Sequence, residues 1–160
     1  MPDLSVRQSI LTELISRVSA IAVANGYQTD AGLRLFVGEL PALGPDDPDA
    51  ALALIVRDEQ AADLSGYGEA PDGIILSVLP VEVQAVVKAD LEQPWVSVEG
   101  VIADIKQAVE TNDRSLGGVL ALPLKRGRTR AFPREPGSTV VGAGVPYLAT
   151  FAESWGGGAV

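Results

Sequence analysis

The stretch IILSVLPVEVQAVV, residues 74–87, is a long run with the character of a β-strand. Within it Val81, Val83 and Ala85 alternate with more polar neighbours, which is the two-residue period of a strand with one face against a core. Pro80 has no N–H to donate to a neighbouring strand, so we expect an edge, a bulge or a bend there. The stretch predicts a long strand on which a sheet is built.

A helix precedes this strand. Ser5 and Gln8 have the S-x-x-Q spacing of a capping box, in which the two side chains satisfy free N–H groups at a helix start. Apolar residues then recur at helical spacing, and Asn25-Gly26 is a common helix end. The sequence therefore predicts a first helix over residues 6–24.

A second amphipathic helix follows the long strand. Its apolar positions have spacings of four, three and four residues, at Val98, Ile102, Ile105 and Val109. Trp95 is predicted to precede this helix and to cover its start, and Asn112-Asp113 is predicted to end it.

Other apolar runs predict four more strands, at residues 33–37, 51–56, 119–124 and 139–153. Gly117-Gly118 predicts the turn that opens a hairpin. We expect one domain over residues 1–160, without internal repeats and with a flexible glycine-rich tail at about 156–160. The expected fold class is α+β: a mixed, mainly antiparallel sheet of about five strands with two amphipathic helices on one face.

The composition contains no His and no Cys. Disulfides, thiolate or imidazole metal sites, and Ser-His-Asp or Cys-His catalysis are therefore excluded within one chain. Asp46, Asp47 and Asp49 are a candidate Ca²⁺ or Mg²⁺ loop, but they lack the EF-hand pattern and are more typical of a solvated acidic loop. We expect no enzyme, no metal and no cofactor.

Charge is segregated along the chain, whose net charge is −9. Nine acids lie between Glu39 and Asp72 with Arg57 as the only cation, in a region with two acidic loops at about 41–48 and 61–73. Five cations and no acid occupy ten consecutive positions further on: Lys125, Arg126, Arg128, Arg130 and Arg134. These five residues are the candidate interface with a neighbouring subunit or partner.

Arg126, Arg128 and Arg130 alternate, so an extended arm would direct all three to one side as a basic ridge. The ridge could contact a neighbour's acidic loop, in a heterologous interface that closes a ring. It could instead contact nucleic-acid phosphates, or it could be a solvated hairpin tip. The net charge opposes general adhesion to nucleic acid, and Phe132 is the only aromatic residue of the segment.

No stretch approaches the ~20 apolar residues that a membrane span needs. The start, Met1-Pro2-Asp3, lacks the charged and apolar regions of a signal peptide. We expect a cytoplasmic product that makes no membrane contact.

Five segments, taken in order, carry a family resemblance over most of the chain, from about Ser5 to Trp155. They are GYQTDAG at 26–32, LPVEV at 79–83, IADIK at 102–106, DRSLGG at 113–118 and VPYLATF at 145–151. The ordered set resembles the tail-terminator proteins of long-tailed bacteriophages, minor tail proteins that cap a finished tail tube.

The resemblance implies a small α+β protomer that forms a hexameric ring and binds the last ring of tail-tube protein, which stops tube growth. It implies a second surface for a head-completion protein at the head–tail junction of the virion, after assembly in the host cytoplasm. DNA would pass through the lumen without sequence-specific binding.

Two other hypotheses remain open at this point. One is a different phage neck protein, a tail-completion or head–tail joining protein, which also assembles into rings but binds different partners. The other is a bacterial binding module or small enzyme with an unrecognised carboxylate site.

Overall fold

The computed structural model describes residues 3–40, 42–44, 46–63 and 72–160. Glu69 and most of the predicted acidic loop at 61–73 lie outside the described residues, as do Pro41 and Pro45 of the loop at 41–48.

Two helices and seven strands make up the described fold. The helices are α1 (Val6–Ser19) and α2 (Pro94–Glu110). The strands are β1 (Leu35–Val37), β2 (Ala50–Val56), β3 (Gln60–Ala61), β4 (Ile74–Lys88), β5 (Lys125–Arg126), β6 (Arg130–Phe132) and β7 (Val140–Ser154).

The strands form one sheet in the order β1-β2-β4-β7-β5. The two-residue strand β3 pairs with β4 beyond the end of β2, and β6 pairs with β7 beyond the end of β5, so the seven strands occupy five positions across the sheet. β1 and β2 are parallel, and the other neighbours are antiparallel. The predicted class, α+β with a mixed, mainly antiparallel sheet, is confirmed.

The pairing of β4 with β7 gives the sheet two distinct faces. Their register runs without a break from Ile74↔Ser154 to Lys88↔Val140. Odd-numbered residues of both strands, such as Val81 and its partner Tyr147, are buried under the helices. We call this side the helix face, and the side with the even-numbered residues the second face.

Both helices pack on the helix face, as expected from their apolar stripes. Ile10, Leu14 and Val18 of α1 and Ile105 and Val109 of α2 have no exposed surface. Each such side chain contributes about 1.5–3 kcal/mol when it is fully buried. The helices therefore hold the long strands on one side only.

The capping box of α1 is formed as predicted, with the Gln8 N–H donating to Ser5 Oγ and the Ser5 N–H donating to Gln8 Oε1. The helix ends at Ser19, however, and not at 24. Residues 23–25 form a separate 3₁₀ turn, which Gly26 ends at φ +89°.

Two other boundaries also differ from the sequence prediction. Trp95 lies inside the first turn of α2, because Pro94 begins the helix. Its side chain is 65% exposed and does not cover the helix start. Residues 119–124 are irregular, not a strand, although the Leu124 N–H bonds to the Arg114 carbonyl.

Pro80 lies in the middle of β4, and the interruption it predicts is found in the neighbouring strands. The Pro80 carbonyl accepts from the Arg57 N–H, just after β2 ends and before β3 begins. Pro80, which has no N–H to donate, is therefore opposite the residue at which the pairing with β2 ends.

Asp104 joins the turn after α1 to helix α2. It is 1% exposed, and its carboxylate accepts from the backbone N–H groups of Gln28 and Thr29 and from the Thr29 hydroxyl at 2.8–2.9 Å. These bonds connect two of the five segments that carry the family resemblance, residues 26–32 and 102–106.

We expect Asp104→Asn to lower the free energy of unfolding by roughly 2 kcal/mol, because an amide supplies one acceptor oxygen in place of two and points an N–H group at a donor. Chemical denaturation measures this loss. The exposed carboxylate of Glu99, on the same helix, gives the matched control: Glu99→Gln should change stability by less than about 0.5 kcal/mol. Equal effects of the two substitutions would contradict the role of Asp104.

Candidate functional site

The two edges of the sheet carry opposite charge. The basic edge is β5–β6 with its flanking residues, beside β7. The acidic edge is β1 with the following loop, residues 39–49, at the other end of the strand order. Four steps between strands separate the edges, so they lie roughly 19 Å apart. Charge that is separated along the sequence is therefore separated across the molecule as well.

The five candidate cations have different environments. Arg126 Nη1 lies 3.2 Å from Glu110 Oε2, Arg130 Nη2 lies 3.3 Å from Glu82 Oε2, and Arg134 Nε donates to the Ser138 carbonyl at 2.8 Å. Lys125 and Arg128 are exposed and have no ion pair within the described part of the chain. Those two residues and Arg134 are the exposed cations of the set that have no acidic partner among the described residues.

The expected ridge of Arg126, Arg128 and Arg130 is wrong, because a β-bulge separates its ends. Arg126 is opposite Tyr147, whereas Arg130 is opposite Gly144, so four steps along the edge match three along β7. One extra residue reverses the alternation of side chains. Arg126 therefore reaches Glu110 of α2 on the helix face, and Arg130 reaches Glu82 on the second face.

Glu82 is the centre of a charged cluster on the second face. Its side chain is 8% exposed and lies 3.7 Å from Arg57 Nη2, in addition to its contact with Arg130. The Gln84 side-chain amide also donates to it. The partly exposed guanidinium groups of Arg57 and Arg130 thus compensate one buried carboxylate. The contact between Arg130 and Glu82 holds β6 against the sheet.

Phe132 and two glycines complete this cluster. A Cβ atom at Gly142 would lie 2.8 Å from the Phe132 ring, and one at Gly144 would lie 3.0 Å from Glu82 Oε1. The guanidinium carbon of Arg130 lies 5.4 Å from the Phe132 ring centre, a cation–π distance. The glycines in β7 therefore provide the space that β6 needs to lie close to the sheet.

The acidic edge is only partly neutralised. Asp47 accepts from the Gly44 N–H at 2.6 Å and pairs with Arg34 at 3.1 Å; these contacts, the Gly44 hydrogen bond first, hold the pKa of Asp47 below its usual value. The side chain of Asp49 is 92% exposed and lies 3.8 Å from Lys88 Nζ. Glu39 and Asp46 are exposed and have no ion pair within the described residues.

The described residues contain no group of three or more acids that could hold a metal ion. In the aspartate loop considered as a Ca²⁺ site, the Asp47 carboxylate is engaged by Gly44 and Arg34. Of the two acids Glu99 and Asp104 of α2, Asp104 is buried and Glu99 is exposed. In the described chain no helix is long and apolar enough to cross a membrane.

Tyr147 and Glu110 support the basic edge from the helix face. The Tyr147 hydroxyl donates to Glu110 Oε2 at 2.8 Å, the same oxygen that Arg126 approaches. Burial, followed by the bond to Glu110, raises the pKa of Tyr147 well above its ordinary value, so the phenol stays protonated and remains a donor.

The turn at 113–118 leads into the basic edge. Asp113 accepts from the Ser115 hydroxyl at 2.6 Å and from the N–H groups of Ser115 and Gly117. These bonds, the hydroxyl first, hold the pKa of Asp113 below its usual value. The turn also places Leu116 at φ +52°, where its side chain is buried.

Two open grooves flank the edges. One, of about 650 Å³, lies between the turn after α1 and the start of α2, and exposes the apolar side chains of Val23, Leu33 and Val96. The other, of about 670 Å³, runs beside β5 and includes Lys125 and Arg126. Trp95 and Trp155 are both exposed, so neither is a core residue.

Sequence reasoning missed Glu82 and Glu110, the acids that hold the basic edge. Neither acid is close to the edge in sequence. For Glu82 one signal was available: a carboxylate in the middle of a strand whose neighbours on both sides are apolar needs a buried partner.

No family model matches the sequence. No curated protein matches it either. Among solved structures, the chain is similar to the sheath/tube terminator of the PVC extracellular contractile injection system in its extended state, with 12% sequence identity and a TM-score of 0.45. That match covers 100% of this chain and 61% of the terminator chain, so this protein spans about three-fifths of the length of its neighbour.

We expect Arg128→Glu to raise the apparent dissociation constant for self-association about ten-fold, or about 1.4 kcal/mol, because it puts like charges on the two edges. Sedimentation velocity at low salt measures the change. Glu39→Arg in the same chain should restore most of the loss, because the acidic edge then carries a new cation and the basic edge a new carboxylate.

Lys106→Glu, which makes the same charge change on α2, is the matched control and should leave self-association unchanged. An equal effect at Lys106 would show that net charge and not the edges controls self-association. Because the double variant has the wild-type net charge, no rescue by Glu39→Arg would contradict a contact between the acidic and the basic edge.

Proposed function

We propose that this protein is a tail terminator: a structural protein that forms a ring on the end of a tail tube, stops its polymerisation and provides the surface for head–tail joining. The observation that carries the proposal is the placement of opposite charge on opposite edges of one sheet. Such a molecule can bind copies of itself head to tail, and a repeated heterologous contact closes into a ring when the rotation between copies allows it.

The use of the charged side chains supports a structural role over a catalytic one. Glu82, Glu110 and Asp104 are all engaged by arginines, a phenol or backbone donors within the fold. We therefore propose that the protein does no chemistry and needs no cofactor. Its partners would be copies of itself, the tail-tube protein and a head-completion protein, and DNA would pass through the ring without sequence readout.

The distribution of free charge also favours assembly over nucleic-acid binding. Arg130 and Arg126 are paired with acids, which leaves Lys125, Arg128 and Arg134 as the exposed cations without an acidic partner in the described structure. Three cations on a chain of net charge −9 make a weak phosphate surface but a sufficient complement to one neighbour's acidic edge.

The direct test is the length of tail tubes. We expect tube protein of the same particle, polymerised in the presence of this protein, to form shorter tubes with a ring at one end in electron micrographs. The control adds the protein after polymerisation, when tube length should not change. Tubes of unaltered length would contradict termination, and co-sedimentation with portal-bearing heads in place of tubes would indicate a head-side neck protein.

A further inference from the structure

Strand β1 has a free hydrogen-bonding edge. The Arg34 carbonyl accepts from the Leu52 N–H and the Gly38 N–H donates to the Leu54 carbonyl, both at 2.9 Å, so alternate residues of β1 bond inward to β2. Leu35 and Val37 therefore direct their N–H and C=O groups away from the sheet. The described residues supply no backbone partner for those groups.

Strand β6 has a free edge on the other side of the molecule. The Gly127 N–H donates to the Pro146 carbonyl at 2.8 Å, which shows that even-numbered residues of β7 bond toward β5 and β6. Arg130 and Phe132, which are opposite Gly144 and Gly142, consequently bond inward. Ala131 between them is exposed and points its backbone groups outward.

The two free edges lie at the same level of the sheet. One row of paired residues runs across all five positions: Leu35, Leu52, Ala85, Ala143 and Ala131. The residues at both ends of this row have outward-pointing backbone groups, and their side chains share the helix face.

The direction of the strands makes the edges complementary. β1 and β6 run in opposite directions, because three of the four steps between them are antiparallel. Copies related by rotation about an axis along the strands keep that direction. β1 of one copy would therefore meet β6 of the next as an antiparallel pair.

The side chains on the second face match in the same arrangement. Each edge carries one arginine over one phenylalanine, Arg34 over Phe36 at 5.5 Å and Arg130 over Phe132 at 5.4 Å. With Leu35 opposite the next copy's Ala131, antiparallel pairing places Phe36 opposite Arg130 and Arg34 opposite Phe132. Each cation then faces an aromatic ring, whereas a parallel pairing would place arginine against arginine.

We propose that β1 of one copy pairs with β6 of a second copy, antiparallel, with Leu35 opposite Ala131, so that the sheet continues from subunit to subunit. This inference rests on the proposed ring and specifies the contact that builds it. The same register places Gly38 opposite Arg128 and Glu39 opposite Gly127 of the next copy. Glu39 and Arg128, two exposed charges without a described ion pair in the single chain, are then neighbours across the interface. Pairing would cover both unprotected strand edges at once.

Because the chain lacks cysteine, a designed pair of cysteines tests the register without background. Leu35→Cys with Ala131→Cys, purified and oxidised at high protein concentration and low salt, should form disulfides between copies, since opposite residues have Cα atoms about 5.5 Å apart. Non-reducing electrophoresis should show a ladder that ends at the ring mass. Leu35→Cys with Thr129→Cys, two residues out of register, is the matched control and should cross-link far less.

The outcomes separate this inference from the proposed function. A ring of native mass without the Leu35–Ala131 disulfide would overturn the strand pairing and leave the ring. Disulfide-linked chains that never close would support the pairing and overturn the ring. A protein that stays monomeric and uncross-linked under these conditions would overturn both.

A proline variant tests the backbone bonds in the native chain. Ala131→Pro removes the outward N–H and leaves the bonds from β6 to β7 in place, so it should abolish assembly while the folded monomer persists in circular dichroism. Ala131→Val keeps the N–H and is the matched control, with assembly retained. Assembly of the proline variant at wild-type concentration would contradict pairing through this strand.

Discussion

The pairing of β4 with β7 is the constraint on which the rest of the structure depends. Fifteen consecutive residue pairs lock the two strands together without a bulge. A slip of one residue would turn the buried side chains of one strand, with either Val81 or Tyr147 among them, away from the helices, so the register is held by the burial of a whole face. β2, β3, β5 and β6 each pair with one of these two strands, and β1 pairs with β2, so the positions of both sheet edges follow from this ladder.

The distribution of charged side chains follows from this strand pairing in two stages. The ladder places β5 and β6 beyond β7 and β1 beyond β2, which separates the basic edge from the acidic one. The bulge between Arg126 and Arg130 then divides the basic residues between the faces, where Glu110 and Glu82 neutralise two of them. The edge that remains is narrow: free backbone groups, one arginine–phenylalanine pair, and the cations Lys125, Arg128 and Arg134, which have no acidic partner among the described residues. Such an edge suits one defined neighbour better than a polyanion.

Local signals in the sequence predicted much of the fold. The capping box of Ser5, the four-three-four spacing in α2 and the alternation in β4 each depend on nearby residues, and all three were confirmed. The α+β class followed from them. The basic ridge failed because a bulge depends on how β5 and β6 meet β7, which no short stretch of the chain encodes. Glu82 was missed for the same reason: its partners Arg57 and Arg130 are distant in sequence. The five candidate interface cations and the flexibility of the tail at 156–160 remain predictions.

Hydrogen–deuterium exchange at single backbone amides, measured in dilute monomer and in the assembled state, tests the central claim most directly. If β1 pairs with β6 of the next copy, the amides of Leu35, Val37 and Ala131 exchange rapidly in the monomer and become protected on assembly. The Gly38 amide, already bonded to Leu54 within the chain, should be protected in both states. Rapid exchange of Leu35 and Ala131 in the assembled protein would contradict the claim that the opposite edges of the sheet join one copy to the next.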